Sequence, residues 1–285
     1  MPSQAHKLRA LIDSGEHFII ADAYSALTAR IVERVGFKAA YLGGHACSAF
    51  HYAVPDNGIF SQVEQIEQAA RIAAAIDIPL LVDADTLGET VADAFHFTRR
   101  YERAGIAGFH VEDEVNPKHS SCAGGLLPIA DMQGRIAACV KARQDPAFVI
   151  VGRCDELFTE KYRGGGTGSI KEAIDRGRAY AEAGADALVY PGASAELTAE
   201  LVRSVPVPVC VIGPTIPGTA FTLHTGWGWT GAAELHLERA RRLFETGTLD
   251  VNPTFEGKEE LIDQPLYDAL IADWAKRTGR PVRQE

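Results

Sequence analysis

The chain has 285 residues, 46% of them hydrophobic and 23% charged, which excludes a disordered chain and suits one large α/β domain with a tail. A net charge of -10 with no stripe of Lys and Arg excludes the electrostatics that nucleic acid or an anionic membrane surface rewards. The five cysteines are dispersed and form no CxxC pair, so neither a zinc site nor a disulfide framework is favoured, and a reducing cytoplasm fits best.

The first segment, MPSQAHKLRALIDSG, patterns as a short amphipathic helix without a signal-peptide core, and no later run reaches the length of a membrane span. Strands are expected near 17 to 21, 38 to 42, 79 to 83, 107 to 111, 148 to 152, 186 to 190 and 207 to 212, with helical patterns between most of them. Three segments repeat one design: ERVGFKAAYLGG (33 to 44), ERAGIAGFHVED (102 to 113) and AEAGADALVYPG (181 to 192). In each, a helix ends in a glycine suited to a left-handed cap and an apolar strand follows at once. Ser61 with Glu64 forms a capping box for a helix running to Ile76. An eighth strand is expected at 219 to 224, but its link from strand seven is too short for a crossover helix, so barrel closure should be irregular. Helices are expected over 231 to 246 and 259 to 276, the second carrying Leu261, Leu266, Leu270, Ile271 and Trp274. These apolar residues dock either on their own barrel or on a neighbouring subunit.

The pattern predicts a modified (β/α)8 TIM barrel over residues 1 to 250 and a C-terminal helical extension over 251 to 285, packed on a neighbouring subunit. Three of its strands end in acid. IPLLVDAD reaches Asp83 and Asp85, AGFHVEDE reaches Glu112, Asp113 and Glu114, and FVIVGRCDE reaches Arg153, Asp155 and Glu156. In such a barrel all strand C-termini share one face, so these groups should converge. Crowded carboxylates repel unless a cation or shared protons relieve them, and hard oxygen ligands suit Mg2+, with Mn2+ as substitute. A strand-end acid is otherwise a helix cap or a structural ion pair, a reading that weakens when three occur together.

Read in order, YLGG, PDNG, VDADT, HVEDEVNPK and the arginine of VGRCDE resemble the isocitrate lyase and phosphoenolpyruvate mutase superfamily, from about Ala21 to Pro214. The resemblance implies magnesium-dependent chemistry that makes or breaks a bond beside a 2-oxo or 2-hydroxy acid carboxylate through an enolate. It implies Asp83, Asp85 and Glu112 as metal-site acids and Asp56 as a further acid near the metal's water. Tyr41, Gly43, Gly44 and His45 match the segment that wraps the substrate carboxylate, with His45 replacing a small residue, and Arg153 matches an arginine that meets the substrate's charge. An ion pair between Arg153 and Asp155 is the competing reading.

Carbon–carbon lyases of that superfamily carry Lys-Arg-Cys-Gly-His on a mobile loop; this chain reads Lys118-His119-Ser120-Ser121-Cys122. Ser120 takes the cysteine position, and a hydroxyl is too weak an acid to replace a thiol. Cys122 can swing in on the glycine-rich Ala123-Gly124-Gly125, His119 can move the proton instead, or the reaction needs no such donor. The strand ends YPGA and IGPT lack the Glu and Asn of tricarboxylate lyases, which excludes isocitrate itself as a good fit. TEKYRGGGTGS (159 to 169) has no phosphate-loop pattern and reads as a lid or an inert loop, and HTGWGW (224 to 229) walls the pocket or plugs the barrel end.

The function expected is therefore cleavage of a C–C bond in a small, malate-like dicarboxylate. A C–P mutase or hydrolase, or an oxaloacetate decarboxylase, is the alternative, and a catalytically silent binding barrel the lesser one. The expected partners are the small carboxylate and further copies of the chain in a homotetramer, a dimer of dimers.

Overall fold

The computed structural model describes residues 3 to 120, 124 to 159, 165 to 248 and 257 to 281. Eight parallel strands close into a barrel in sequence order: β1 (Phe18–Asp22), β2 (Ala40–Leu42), β3 (Leu80–Asp83), β4 (Gly108–Glu112), β5 (Val149–Arg153), β6 (Ala187–Val189), β7 (Val209–Ile212) and β8 (Phe221–His224). Around them run α1 (Gln4–Asp13), α2 (Ala26–Val35), the short α3 (Gly44–Cys47), which continues into a π-helical turn at Ser48–Tyr52, α4 (Gln62–Ala73), α5 (Val91–Arg103), α6 (Ile129–Ala142), α7 (Ile170–Glu182) and α8 (Ala195–Ser204). The eight expected strands are all present. No helix lies between β7 and β8, which are joined by residues 213 to 220, so closure is irregular as the short link implied.

Local signals explain where the helices begin. The side chains of Ser25, Ser61 and Thr90 accept the N–H of the residue three positions on and are bonded in return, forming complete capping boxes on α2, α4 and α5. Gly36 ends α2 in the left-handed region at φ 104°, the conformation a β-carbon disfavours.

Strand parity divides the core in two. Phe18 and Ile20, Leu81, Val149 and Val151, Ala187 and Val189, Cys210, Phe221 and Leu223 point into the barrel, and Leu8 and Ile12 of α1 join them. The alternate residues Leu80, Val82, Phe109, Val111, Ile150 and Leu188 face the helices. Continuing the inward set by one step along β1, β3 and β5 reaches Asp22, Asp83 and Arg153, so these polar side chains cap the apolar column at the mouth.

The chain separates into two compact units, Met1–Gly231 and Ala232–Glu285. The first holds the whole barrel. The second holds most of α9 (Trp227–Thr246), with α10 (Lys258–Leu261) and α11 (Gln264–Thr278), and buries only Leu261 and Ala275 among its described apolar side chains. Leu266, Tyr267, Leu270, Ile271 and Trp274 of α11 are exposed, as is Phe244 of α9 at 91%. No helix among the described residues is long and apolar enough to cross a membrane.

Candidate active site

Asp83 ends β3, Glu112 ends β4 and Arg153 ends β5, with Glu112 and Arg153 paired in register. Asp85 reaches the same mouth because the chain turns sharply after β3: its φ is 48°, its N–H donates to Asp83 Oδ1 at 2.9 Å, and its carbonyl accepts the Glu112 N–H at 2.9 Å. A non-glycine residue held in that region is a local strain that neighbouring bonds must maintain. Carboxylate oxygens of Asp83, Asp85 and Glu112 lie within 4.8 Å of one another, all buried. The expected convergence is present in the geometry.

Not every acid of the strand-end runs joins it. Asp113, one residue past Glu112, faces outward and accepts from Tyr180 Oη at 2.6 Å and Arg176 Nη1 at 3.2 Å, tying β4 to α7. Glu156 accepts the backbone N–H groups of Thr167 and Ser169, both at 3.1 Å, and so shapes the loop before α7. Asp155 turns back to Arg153, whose Nη2 and Nε lie 2.8 and 3.1 Å from its Oδ1, while Nη1 of the same guanidinium lies 2.8 Å from Glu112 Oε2. The ion pair with Asp155 and the place in the site are thus both features of Arg153.

Asp56 arrives on the PDNG loop. Gly58 of that loop, at φ 82°, lies so close to Asn116 that a β-carbon would meet its Oδ1 at 2.4 Å, so glycine is what lets the loop sit against the segment after β4. That segment carries Lys118 and His119 into the mouth. Lys118 is fully buried, and its ammonium contacts Asp85 Oδ1, Glu112 Oε1 at 2.8 Å and Asp56 Oδ1 at 3.4 Å. His119 lies between Asp56 Oδ2 (3.4 Å) and Glu114 Oε2 (3.3 Å). Ser120 Oγ donates to the Pro117 carbonyl at 3.0 Å, and Cys122 lies outside the described residues, as do residues 160 to 164 of the glycine-rich insertion.

Electrostatics follow from this crowding. Burial pushes Asp83 up, but His110, Lys118 and Arg153 outweigh it and hold the carboxyl below its ordinary value. Burial raises Asp85, with Asp83, Asp56 and Glu112 adding to the rise against the opposing Lys118. Burial disfavours charge on His119, yet the neighbouring carboxylates of Asp56 and Glu114 prevail and lift it to about 10, so it is an imidazolium at neutral pH. Both Glu112 oxygens are buried without an aligned hydrogen-bond donor, although ammonium and guanidinium stand near. A buried acid set of hard oxygens, short of donors and already drawing an ammonium into its midst, fits a divalent cation.

A cavity of about 530 Å³ opens over these groups, lined by Tyr41, Gly43, Gly44, His45, Asp56, Asp83, His119 and Arg153 on the β2 to β5 side. Pro191, Ile212, Thr225, Trp229 and Thr230 also line it. Trp229 lies against His45 with ring centroids 4.9 Å apart, so one tryptophan of HTGWGW walls the pocket, while Trp227 is 54% exposed. The Gly43 N–H donates to Asp22 Oδ1 at 3.4 Å and the Gly44 N–H to Asp83 Oδ2 at 3.2 Å, so in this state the glycine amides hold the protein's own carboxylates.

Two contributors escaped the sequence reading. His110, on the inward parity of β4 two residues before Glu112, bonds Tyr41 Oη through Nε2 at 2.8 Å and fixes that hydroxyl beside the pocket. Asp22 is the inward residue after Phe18 and Ile20 and lines the cavity; period-two counting along FIIAD would have found it. Burial, opposed by N–H donors from Gly226 and Gly43, raises Asp22 to about 6. The folded state then keeps its proton over a pH range where the unfolded chain has lost it. Asp22 should therefore subtract about 3 kcal/mol of stability as pH rises from about 4 to about 6. Urea melts at pH 4 and 7 should show a smaller loss over that interval for Asp22→Asn than for wild type; parallel losses contradict the assignment.

Comparison with known proteins places this geometry in a family. Residues 8–225 match the model of the phosphoenolpyruvate phosphomutase family. The chain is 34% identical over 216 residues to the 2,3-dimethylmalate lyase of Eubacterium barkeri, covering 75% of this chain and 68% of that one. It is 37% identical over 186 residues to the phosphonopyruvate hydrolase of Variovorax sp. strain Pal2, covering 64% of this chain and 61% of that one. The solved structure of a phosphonopyruvate hydrolase complexed with oxalate and magnesium superposes with a TM-score of 0.84 at 28% identity, over 95% of this chain and 99% of that one. With the closed barrel and the buried acid cluster at its mouth, the match over residues 8–225 shows that the chain belongs to the phosphoenolpyruvate mutase family, within the isocitrate lyase and phosphoenolpyruvate mutase superfamily.

Proposed function

We propose that this protein is a magnesium-dependent carbon–carbon lyase, also served by manganese, that cleaves a small malate-like 2-hydroxy or 2-oxo dicarboxylate through an enolate. The observation that carries the reading is the meeting of Asp83, Asp85 and Glu112 beside Arg153 at the barrel mouth, where Asp83 and Arg153 line one cavity. Asp83, Asp85 and Glu112 would hold the cation, with Asp56 facing its water. A dication there supplies Lewis-acid stabilisation for negative charge developing on a substrate oxygen.

The chain's own groups do the rest. Tyr41, oriented by His110, offers its hydroxyl to the substrate carboxylate, while Gly43 and Gly44 let the backbone approach and His45 narrows the pocket. Arg153 neutralises the substrate's charge through its guanidinium. As the C–C bond breaks, the substrate's 2-hydroxyl becomes the carbonyl and gives its proton to a carboxylate on the cavity wall, and His119, held as an imidazolium on that wall, donates the proton that the departing carbanion takes up. Ser120 bonds a carbonyl and is no acid, and Cys122 is the competing donor. The exposed apolar side chains of α9 and α11 are the surface we assign to contact with further copies of the chain in a cytoplasmic homotetramer.

One observation favours a second reading. Ser120 at the family's cysteine position suits chemistry without a thiol acid, such as phosphonopyruvate hydrolysis or oxaloacetate decarboxylation. A panel of substituted malates, phosphonopyruvate and oxaloacetate, each with Mg2+ and with EDTA, separates the two. Release of a 2-oxo acid from a substituted malate, abolished by EDTA, is expected. Phosphate release from phosphonopyruvate alone, or carbon dioxide from oxaloacetate alone, would move the assignment to the second reading.

A further inference from the structure

Lys118 is the one group of the acid cluster that the metal-dependent reading does not employ, and its position is unusual for a lysine. Its side chain is wholly buried, although a long flexible ammonium ordinarily reaches for water. Its three contacts are Asp85, Glu112 and Asp56, three of the four acids assigned to the cation and its water.

A magnesium ion requires oxygen ligands at about 2.0 to 2.1 Å in near-octahedral array. The ammonium already lies 2.8 Å from Glu112 Oε1 and in direct contact with Asp85 Oδ1, so both cations draw on the same two carboxylates. Two like charges that close in a buried site also repel strongly. We infer that Lys118 is a built-in occupant of the cation site, and that metal entry and the seating of Lys118 exclude each other. This inference rests on the metal-dependent reading above.

The consequence reaches beyond one side chain. His119 lies between Asp56 and Glu114 with its ring centroid 6.2 Å from that of Phe158, and Asn116 packs against Gly58, so the acids are one of the holds that keep Lys118 and His119 at the mouth. Metal binding withdraws two of those acids from Lys118. Lys118 then loses its hold on Asp85 and Glu112, and the freed ammonium becomes available to an anionic substrate entering the cavity. Without metal, Lys118 keeps the acids from repelling one another and the fold intact.

Lysine-selective acetylation of the full-length wild-type protein, read by mass spectrometry with and without Mg2+, tests this. Lys118 should resist labelling without metal and label at least tenfold faster at a Mg2+ concentration shown by calorimetry to saturate the site, with the other lysines unchanged. Lys118→Met should bind Mg2+ at least tenfold more tightly than wild type. If that variant does not fold without metal, the wild-type labelling decides alone. Lys118 that stays protected under saturating Mg2+ overturns the inference and leaves the metal reading standing. Absence of Mg2+ binding to wild type and variant alike removes both.

Discussion

Asp85→Ala should lower kcat/KM by at least about a thousandfold, equivalent to about 4 kcal/mol of transition-state stabilisation, while the protein stays folded. The substitution deletes one of three oxygen donors that converge within 4.8 Å, and the two remaining acids cannot rebuild the site. Stability should change little, because two effects oppose each other. Burial already penalises the Asp85 charge, and its removal relieves Asp83 and Glu112, whereas Lys118 loses one of its three partners. Circular dichroism and a thermal melt, run beside the activity assay, distinguish lost chemistry from lost structure. Wild-type turnover in a folded Asp85→Ala protein would remove the metal assignment.

Arg153→Lys is expected to cost about a hundredfold or more in kcat/KM despite conserving charge. One planar guanidinium holds Glu112 Oε2 at 2.8 Å on one side and Asp155 Oδ1 at 2.8 and 3.1 Å on the other, which a single ammonium cannot span. Arg153→Ala should in addition destabilise the fold by about 3 to 5 kcal/mol, since it leaves buried carboxylates uncompensated. Denaturant unfolding of both variants checks the second figure, and the lysine variant isolates the geometric effect from the charge. Near-normal kinetics for Arg153→Lys would confine Arg153 to its structural pairs.

Asp83 and Arg153 were legible because they obey two rules that survive in a linear sequence. Parallel strands of a closed barrel end on one face, and side chains alternate inward and outward along each strand. VDAD and VGRCDE therefore announced Asp83 and Arg153 before any coordinates. The same rules, applied further, separate Glu112 from Asp113 in HVEDE and would have brought in Asp22 and His110. They were missed because Asp22 belongs to no acidic run and His110 sits in the middle of an apolar one. The seat of Lys118 was hidden for a different reason. The segment after β4 has neither periodicity nor caps, and the charges that seat Lys118 come from the ends of β3 and β4 and from the PDNG loop. The amides of Gly43 and Gly44 illustrate the same limit: their spacing suggests an anion cradle, but only tertiary structure assigns them to Asp22 and Asp83.

The most direct test is a calorimetric titration of Mg2+ into the wild-type protein, with and without oxalate as a mimic of a 2-oxo acid enolate. Binding of one Mg2+ per chain, at least tenfold tighter with oxalate present and lost in Asp85→Ala, is the predicted result. Oxalate affinity that is the same with and without Mg2+, or Mg2+ binding that survives Asp85→Ala unchanged, would contradict a cation and a carboxylate meeting at this mouth.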